Sequence, residues 1–275
     1  MASAYIPSEN SIIEPDAIVD TPEKYENTVL YREGDISRED KGSGETIVFT
    51  LVIPAYNEEN RIGPLLSELN CRETEYIFIC DGNDGTATEI KRWGTLHQEI
   101  SLRCIEYPTR IGKGRAVCEG LSFVKTRFAG YMDADGSTSC SQMAKLFQEL
   151  KGNDAIIGSR WLAGAKITRS QGFLRRFESR IFNLAIRLLF GLPYQDTQCG
   201  AKVFRRDALD TVLPEIVSKG FEFDVELLWR LKRKGYRICE YPIEWNNRGD
   251  SRVRGPDAIS MMGNLIKLRL GWGRG

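Results

Sequence analysis

The sequence predicts an α/β fold with a mostly parallel central sheet. After residue 45, short apolar segments alternate with helical segments at the spacing of βαβ units, and polar motifs follow the apolar segments. Segment 46–54 is apolar and rich in β-branched residues, a pattern typical of a strand buried on both faces of a sheet. Right-handed βαβ connections would place a functional site at the carboxyl ends of the strands.

The elements of the first half follow in order. Helical spacing over 61–69 comes after the first strand, and a second apolar strand, 76–80, runs into a polar turn and a further helix. Segment 102–107 predicts a third strand and 116–125 a helix. A fourth strand, 128–132, ends directly before two aspartates.

The second half is less regular. Segment 155–158 predicts a short strand, and 174–190 predicts a helix from an apolar stripe at helical spacing. Segment 225–234 predicts another helix, and 236–245 predicts a strand. The last element is an amphipathic helix over 257–270, in which basic residues interrupt the apolar positions.

Charge divides the chain into unequal parts. Residues 1–45 contain eleven acidic and four basic side chains and show no sustained period, so we expect a flexible acidic segment there. We expect one folded α/β domain over 46–256 and a separate C-terminal helix and tail over 257–275. Lys and Arg total 38, as do Asp and Glu, and this balance excludes the basic excess of a protein that coats nucleic acid.

No apolar run approaches the roughly 20 residues that span a bilayer, and the N-terminus has no basic segment followed by an apolar core. We therefore expect a cytoplasmic protein, with a peripheral position on the cytoplasmic membrane face as a further hypothesis. The last helix could lie in a membrane interface, on anionic headgroups, or pack on the protein core.

Cysteine and histidine offer little chemistry. The seven cysteines are scattered and form no close pair at metal-ligand spacing, so neither a disulfide framework nor a zinc site is expected. His97 is the only histidine and has no evident partner. The sequence therefore favours chemistry based on carboxylates, phosphates and a bound metal.

Asp133 and Asp135 are the sharpest feature. Two carboxylates separated by one residue at a strand end can both reach a hard divalent cation, which in turn binds substrate phosphate oxygens. We therefore predict an Mg²⁺ or Mn²⁺ site at this pair, although such a motif also occurs in ordinary loop capping.

Polar residues after the first two strands and a small cationic loop form a second group. The segment Asn57-Glu58-Glu59 and Asp81 could hydrogen-bond a nucleobase and a ribose. Asn57 and Asp81 could instead serve as helix caps or turn formers. Lys113 lies between two glycines before a predicted helix, a setting suited to phosphate or ribose.

A basic stretch over 160–187 has seven cations against one acidic residue, Glu178. It could cradle a phosphate, or it could be a solvated helix face or a contact with acidic lipid. Arg175 and Ser179 are four residues apart and so share a helix face. The cations are Arg160, Lys166, Arg169, Arg175, Arg176, Arg180 and Arg187.

Seven motifs occur in the order seen in family 2 glycosyltransferases, which the chain resembles over about 46–270. The similarity is greatest to the dolichyl-phosphate (polyprenyl-phosphate) glucosyl- and mannosyltransferase branch, especially in DTQCG and FDVELL. The motifs are IPAYNE from Ile53, DGNDGT from Asp81, GKG from Gly112, DADG from Asp133, GSR from Gly158, DTQCG from Asp196 and FDVE from Phe223.

The resemblance implies a GT-A fold and an inverting transfer of a hexose from a UDP- or GDP-sugar to a polyprenyl or dolichyl phosphate, assisted by Mg²⁺ or Mn²⁺. It implies that Arg160, Arg175 and Ser179 hold the acceptor phosphate. We assign donor binding to Pro54, Tyr56, Glu58, Asp81, Lys113, Asp133 and Arg252.

Three questions stay open in the sequence. Asp196 could be the catalytic base of a hydroxyl-accepting family 2 enzyme that builds a polysaccharide or glycolipid, or it could orient an arginine. Asp224 could bind substrate or cap the helix that follows it. The family usually has Asp where this chain has Cys80, which leaves a non-catalytic nucleotide-sugar-binding subunit as a further alternative.

Overall fold

The computed structural model describes residues 48–168, 173–246 and 255–271, and for 173–179 and 255–259 it describes only the backbone. The acidic segment 1–45 therefore lies outside the described residues. The strands are β1 (Phe49–Ala55), β2 (Thr74–Cys80), β3 (Leu102–Glu106), β4 (Phe128–Tyr131), β5 (Ala155–Ser159), β6 (Lys166–Ile167), β7 (Lys202–Arg205), β8 (Ile238–Pro242) and β9 (Glu244–Trp245).

The described part of the chain contains eight α-helices, of which seven lie between strands and the last follows β9. They are α1 (Gly63–Leu66), α2 (Thr86–Leu96), α3 (Lys113–Ser122), α4 (Cys140–Glu149), α5 (Phe173–Phe190), α6 (Arg206–Val212), α7 (Phe223–Arg233) and α8 (Gly255–Arg269).

Seven strands form one sheet in the order β3-β2-β1-β4-β7-β5-β8. All of its neighbouring strands are parallel except β7, which runs antiparallel to both β4 and β5. The predicted α/β architecture with a mostly parallel sheet is confirmed. The chain passes from β1 outward to β3 and then returns to β4 on the other side of β1, so the strand order reverses between β1 and β4. Ligand sites of open α/β sheets lie at such a reversal, beyond the carboxyl ends of the strands.

Both faces of the sheet are covered, which explains the continuous apolar pattern of β1. Leu51 and Ile53 belong to the core cluster under α2 and α4, whereas Val52 belongs to the cluster under α3, α6 and α7. Successive side chains of a strand point to opposite faces, so each of these residues is buried. The helix layers on the two faces fix the strand ends that carry the polar motifs.

Some predicted elements differ from the observed ones. Helix α1 covers only Gly63–Leu66, because the chain turns after it to enter β2 at Thr74. The predicted strand 236–245 is divided into β8 and β9, which pair in two different sheets. Helices α4 and α6 and strand β7 were not predicted. Strand β7 is short and begins with Lys202, so its pattern does not suggest a central strand.

Helices α5 and α8 lie at one side of the molecule. Ile186 and Phe190 of α5 pack with Met261 and Leu265 of α8 against Trp229. By contrast, the later part of the apolar stripe that predicted α5 faces outward: Ile181, Leu184 and Leu188 are exposed. Among the described residues, no helix has both the length and the apolar character that crossing a bilayer requires.

Candidate functional site

The polar motifs meet at one edge of the sheet. Asp81 directly follows β2, and Asp133 lies two residues beyond the end of β4. Because β7 is antiparallel, its amino end lies at this same edge, and it brings segment 196–201 beside the end of β4. The direct pairing of Tyr131 with Lys202 shows this register.

The Asp133–Asp135 pair is held by a tight turn. The Asp135 carboxylate accepts a hydrogen bond from the backbone N–H of Ser137 at 2.9 Å, and Gly136 between them has a positive φ of 66°. Burial and the charge of Asp133 both raise the pKa of Asp135. The Asp133 side chain is 40% exposed and therefore accessible from outside.

Gly200 makes room for Asp133. A methyl group at position 200 would lie 1.9 Å from Oδ2 of Asp133 and 2.3 Å from its Cγ, far inside van der Waals contact. Only glycine allows the backbone of the DTQCG segment and this carboxylate to approach so closely. Gly200 of the DTQCG motif therefore helps to set the position of Asp133, although the two residues are far apart in sequence.

Lys113 is the cation nearest to this carboxylate in the described contacts. It is the first residue of α3, and its Nζ lies 2.7 Å from Oδ1 of Asp133 and 3.7 Å from Oδ2 of Asp224. Burial lowers the pKa of Lys113, but the charges of Asp133 and Asp224 outweigh burial and raise it. Lys113 is therefore a fixed positive charge at the edge of the sheet.

The loop before α3 depends on Asp81. Its Oδ2 accepts hydrogen bonds from the backbone N–H groups of Ile111 and Gly112, both at 3.0 Å. Gly112 has a φ of 91°, and a Cβ there would lie 2.6 Å from the carbonyl oxygen of Lys219. Asp81 thus positions the loop that carries Lys113.

The segment after β1 forms contacts of its own. Glu58 is buried, and its carboxylate pairs with the Arg61 guanidinium at 2.7 Å. Asn57 adopts a φ of 51° and accepts a hydrogen bond from the backbone N–H of Asn83, so it is a turn residue. The Arg110 guanidinium lies 4.3 Å from the ring centroid of Tyr56, which joins two loops of this edge.

Arg160 and Asp196 form a bidentate ion pair. Nε and Nη2 of Arg160 donate to Oδ2 and Oδ1 of Asp196 at 2.7 and 2.8 Å, and Asp196 has no exposed surface. Burial lowers the pKa of Arg160, but Asp196 more than offsets this effect and raises it. Glu240 accepts from the backbone N–H of Asp196 at 2.9 Å and fixes this segment further.

The structure gives less information about the remaining predicted site residues. Arg175 and Ser179 are in α5, where only the backbone is described, and Arg252 lies outside the described residues. Pro54 lies in β1, one residue from its end. Lys166 belongs to the predicted basic stretch, but it pairs with Glu244 and is 74% exposed.

Asp224 does not cap α7, contrary to one of the two predicted roles. It is the second residue of the helix and makes no cap hydrogen bond; its carboxylate accepts instead from Tyr131 and Lys202. Four residues of this region were not predicted from the sequence: Tyr131, Lys202, Arg110 and Glu240. Lys202 alone gave a signal, since a lysine two residues after a family motif and before apolar residues is unusual in a core.

The edge fits a hard divalent cation. Asp133 and Asp135 supply carboxylate oxygens, the ligands that Mg²⁺ and Mn²⁺ prefer, and their like charges oppose each other until a cation offsets them. In the described part of the chain, no cluster of three or more His, Cys, Asp or Glu side chains could hold a metal alone.

Comparison with known proteins identifies the family of the chain. The model of "Glycosyl transferase family 2" matches residues 50–213. A dolichyl-phosphate beta-glucosyltransferase of Trichomonas vaginalis is 32% identical over 83% of this chain and 72% of its own length. A polyprenol monophosphomannose synthase of Mycolicibacterium smegmatis is 28% identical over 77% of this chain and 83% of its own.

The fold also matches a solved structure. The glucosyl-3-phosphoglycerate synthase of Mycobacterium tuberculosis, in complex with Mn²⁺, UDP and glucosyl-3-phosphoglycerate, superposes with a TM-score of 0.58. The match covers 83% of this chain and 81% of that one at 20% identity, so it supports the fold alone. The family match and the curated relatives together show that the chain belongs to glycosyl transferase family 2 and is a glycosyltransferase similar to the dolichyl- and polyprenyl-phosphate branch.

Proposed function

We propose that this chain transfers one glucose or mannose from a UDP- or GDP-sugar to the phosphate of a polyprenyl or dolichyl phosphate. A phosphate oxygen of the acceptor bonds to the anomeric carbon while the bond to the nucleoside diphosphate breaks, so a single displacement inverts the configuration. The names of the two curated relatives, a dolichyl-phosphate glucosyltransferase and a polyprenol monophosphomannose synthase, support this acceptor class.

The Arg160–Asp196 pair is the observation that carries the choice of acceptor. A hydroxyl acceptor needs a general base, but both oxygens of the buried Asp196 already accept hydrogen bonds from Arg160. A phosphate monoester, with a second pKa near about 6, is already anionic at neutral pH and needs cations instead. Arg160 retains further N–H groups beyond those that bind Asp196, and a guanidinium fixed in this way suits a phosphate oxygen.

Helix α5 is the proposed second side of the acceptor site. Thr197 donates a hydrogen bond to Asn183 of α5 at 2.9 Å, which ties the helix to the segment that carries Asp196. Positions 175 and 179 precede Asn183 by about two turns and one turn of this helix. We propose that Arg175 and Ser179 complete the phosphate site with Arg160, and that Arg252 closes over the donor pyrophosphate.

The donor diphosphate belongs, in this proposal, beside Asp133, Asp135 and Lys113. A bound Mg²⁺ or Mn²⁺ would stabilise the negative charge that develops on the leaving diphosphate. Lys113 adds a fixed positive charge 2.7 Å from Asp133, so it can bind the same phosphates. Pro54, Tyr56, Glu58 and Asp81 would shape the nucleoside side of the site.

We also propose that the outer surface of α5 and α8 rests on a membrane. Exposed apolar side chains lie beside exposed cations on both helices, and Arg269 of α8 donates to the Leu189 carbonyl at 3.0 Å, so the two helix ends adjoin. Apolar groups among cations suit the interface of an anionic bilayer, here the cytoplasmic face. The residues are Ile181, Leu184, Leu188, Ile266 and Leu270 with Arg180, Arg187, Lys267 and Arg269.

The membrane proposal is tested by co-sedimentation with anionic phospholipid vesicles. Replacing Leu184 and Leu188 by Ser should reduce binding without lowering the melting temperature, because both side chains are exposed. Unchanged binding would contradict this surface.

Lipid-linked product formation tests the function itself. The protein is incubated with radiolabelled UDP-glucose or GDP-mannose, dolichyl phosphate and Mn²⁺, and label is counted in the lipid fraction. We expect one of the two donors to label the lipid. Transfer to a saccharide or glycolipid hydroxyl, with none to dolichyl phosphate, would favour the hydroxyl-accepting alternative.

A further inference from the structure

Asp224 is a buried carboxylate that joins three elements of the site. It lies in the first turn of α7 and is 2% exposed. Oδ1 accepts hydrogen bonds from the Tyr131 hydroxyl and the Lys202 ammonium, while Oδ2 lies 3.7 Å from the ammonium of Lys113. Each oxygen of Asp224 therefore faces a different part of the molecule.

Asp224 is the counter-ion of the buried Lys202, which is a structural role. The Lys202 side chain has no exposure, and its ammonium donates to Asp224 and to the Cys199 carbonyl. A buried ammonium without a carboxylate would destabilise the fold. Burial alone would raise the pKa of Asp224, but Lys202 and Lys113 lower it, so the carboxylate stays charged.

The same carboxylate also acts on the proposed donor site. Lys113 lies between Asp133 and Asp224, so the charge of Asp224 restrains its ammonium from one side while Asp133 holds it from the other. The Tyr131 hydroxyl binds Asp224, and Tyr131 is the last residue of β4, two positions before Asp133. The Lys113 ammonium and the strand end that leads to Asp133 are thus both held by the buried carboxylate of Asp224.

We propose that Asp224 is a positioning residue, which holds Lys113 and the end of β4 in the arrangement that binds the donor diphosphate. This inference rests on the proposed donor site. Without the negative charge of Asp224, Lys113 would be held by Asp133 alone, and its ammonium would be less well fixed beside the donor phosphates. A purely structural role, in which Asp224 only neutralises Lys202, predicts no such effect once the buried lysine is also removed.

Two variants separate these roles. Asp224→Asn leaves Lys202 buried without a carboxylate, so the melting temperature should fall by many degrees. The double variant Asp224→Asn with Lys202→Met removes both charges from the core and should recover most of the melting temperature, because a buried ion pair can be replaced by neutral groups at little cost. Calorimetric titration with UDP and with GDP, each with Mn²⁺, then measures donor-site affinity without acceptor or turnover.

We expect the double variant to bind the preferred nucleotide roughly tenfold more weakly than the wild type, although it is folded. In a Lys113→Met background, the same two changes should cause a clearly smaller loss, because only the contact through Tyr131 to the end of β4 then remains. Asp210→Asn, at an exposed ion pair with Arg206, is the matched control and should bind as the wild type does.

Wild-type affinity in the stable double variant would overturn the proposal and leave Asp224 as the counter-ion of Lys202. Equal losses with and without Lys113 would also overturn it, since Asp224 would then act by another route. Failure of the wild type to bind either nucleotide would refute the donor site itself and, with it, the positioning role.

Discussion

The Arg160 guanidinium donates hydrogen bonds to both oxygens of the buried Asp196, from Nε to Oδ2 at 2.7 Å and from Nη2 to Oδ1 at 2.8 Å. The backbone N–H of Arg160 donates to Oδ2 of the same carboxylate at 3.0 Å. All three hydrogen bonds come from Arg160, so one residue occupies both oxygens of this buried carboxylate. We propose that the contact orients the arginine, which is one of the two roles that the sequence leaves open for Asp196.

The first prediction concerns Asp196→Asn. Loss of the charge should leave Arg160 less well oriented, so kcat/KM for the lipid phosphate should fall roughly tenfold to a hundredfold while donor affinity stays within about twofold. Steady-state kinetics and nucleotide titration measure the two effects. A near-complete loss of kcat with an unchanged acceptor KM would indicate a general base.

The second prediction concerns the metal. Asp135→Ala should abolish transfer, because it removes one of the two carboxylates of the predicted site. EDTA should inhibit the native protein reversibly, with activity returning when Mn²⁺ or Mg²⁺ is added in excess. Full activity in excess chelator would rule out a metal-dependent reaction.

The third prediction concerns Gly200→Ala. The new methyl group would overlap the Asp133 carboxylate, so Asp133 should move and Mn²⁺ affinity, measured in the presence of UDP or GDP, should fall by at least about tenfold. Gly263→Ala is a suitable control, because nothing lies within 4 Å of the added group in α8. Native-like metal affinity in Gly200→Ala would show that the close approach has no functional role.

The fourth prediction concerns the acceptor cations. Arg160→Ala and Arg175→Ala should each weaken acceptor use by about 1.5 to 3 kcal/mol, or roughly tenfold to a hundredfold in kcat/KM, with donor affinity nearly unchanged. Arg92→Ala, at an exposed ion pair with Glu89, serves as a control. If Arg175→Ala reduced donor and acceptor affinity equally, α5 would serve the donor or the membrane.

Local patterns explain what could be predicted from the sequence. Segment 46–54 predicted a doubly buried strand, and residues 50–53 and Ala55 of β1 are buried between helices on both faces. Asp133 and Asp81 were expected at the edge of the sheet because each follows an apolar strand, and both lie there. Period and strand ends are properties of neighbouring residues, so they can be recognised in one sequence.

Contacts between distant segments explain what could not be predicted. The antiparallel insertion of β7 brings Gly200 against Asp133 and Lys202 against Asp224, although no local period marks β7 as a central strand. Asp224 was one possible helix cap, because its position before apolar residues fits that role. Its burial beside Tyr131, 93 positions away, could be recognised only in the folded chain.

The choice between phosphate and hydroxyl acceptors is tested most directly by one comparison. The measurement is kcat/KM of the native protein for a polyprenyl phosphate and for the polyprenol of the same chain length, with the preferred sugar nucleotide and Mn²⁺. We predict rapid transfer to the phosphate and none to the alcohol, since the alcohol is neutral near pH 7 and Asp196 is occupied by Arg160. Efficient glycosylation of the free polyprenol would contradict the account.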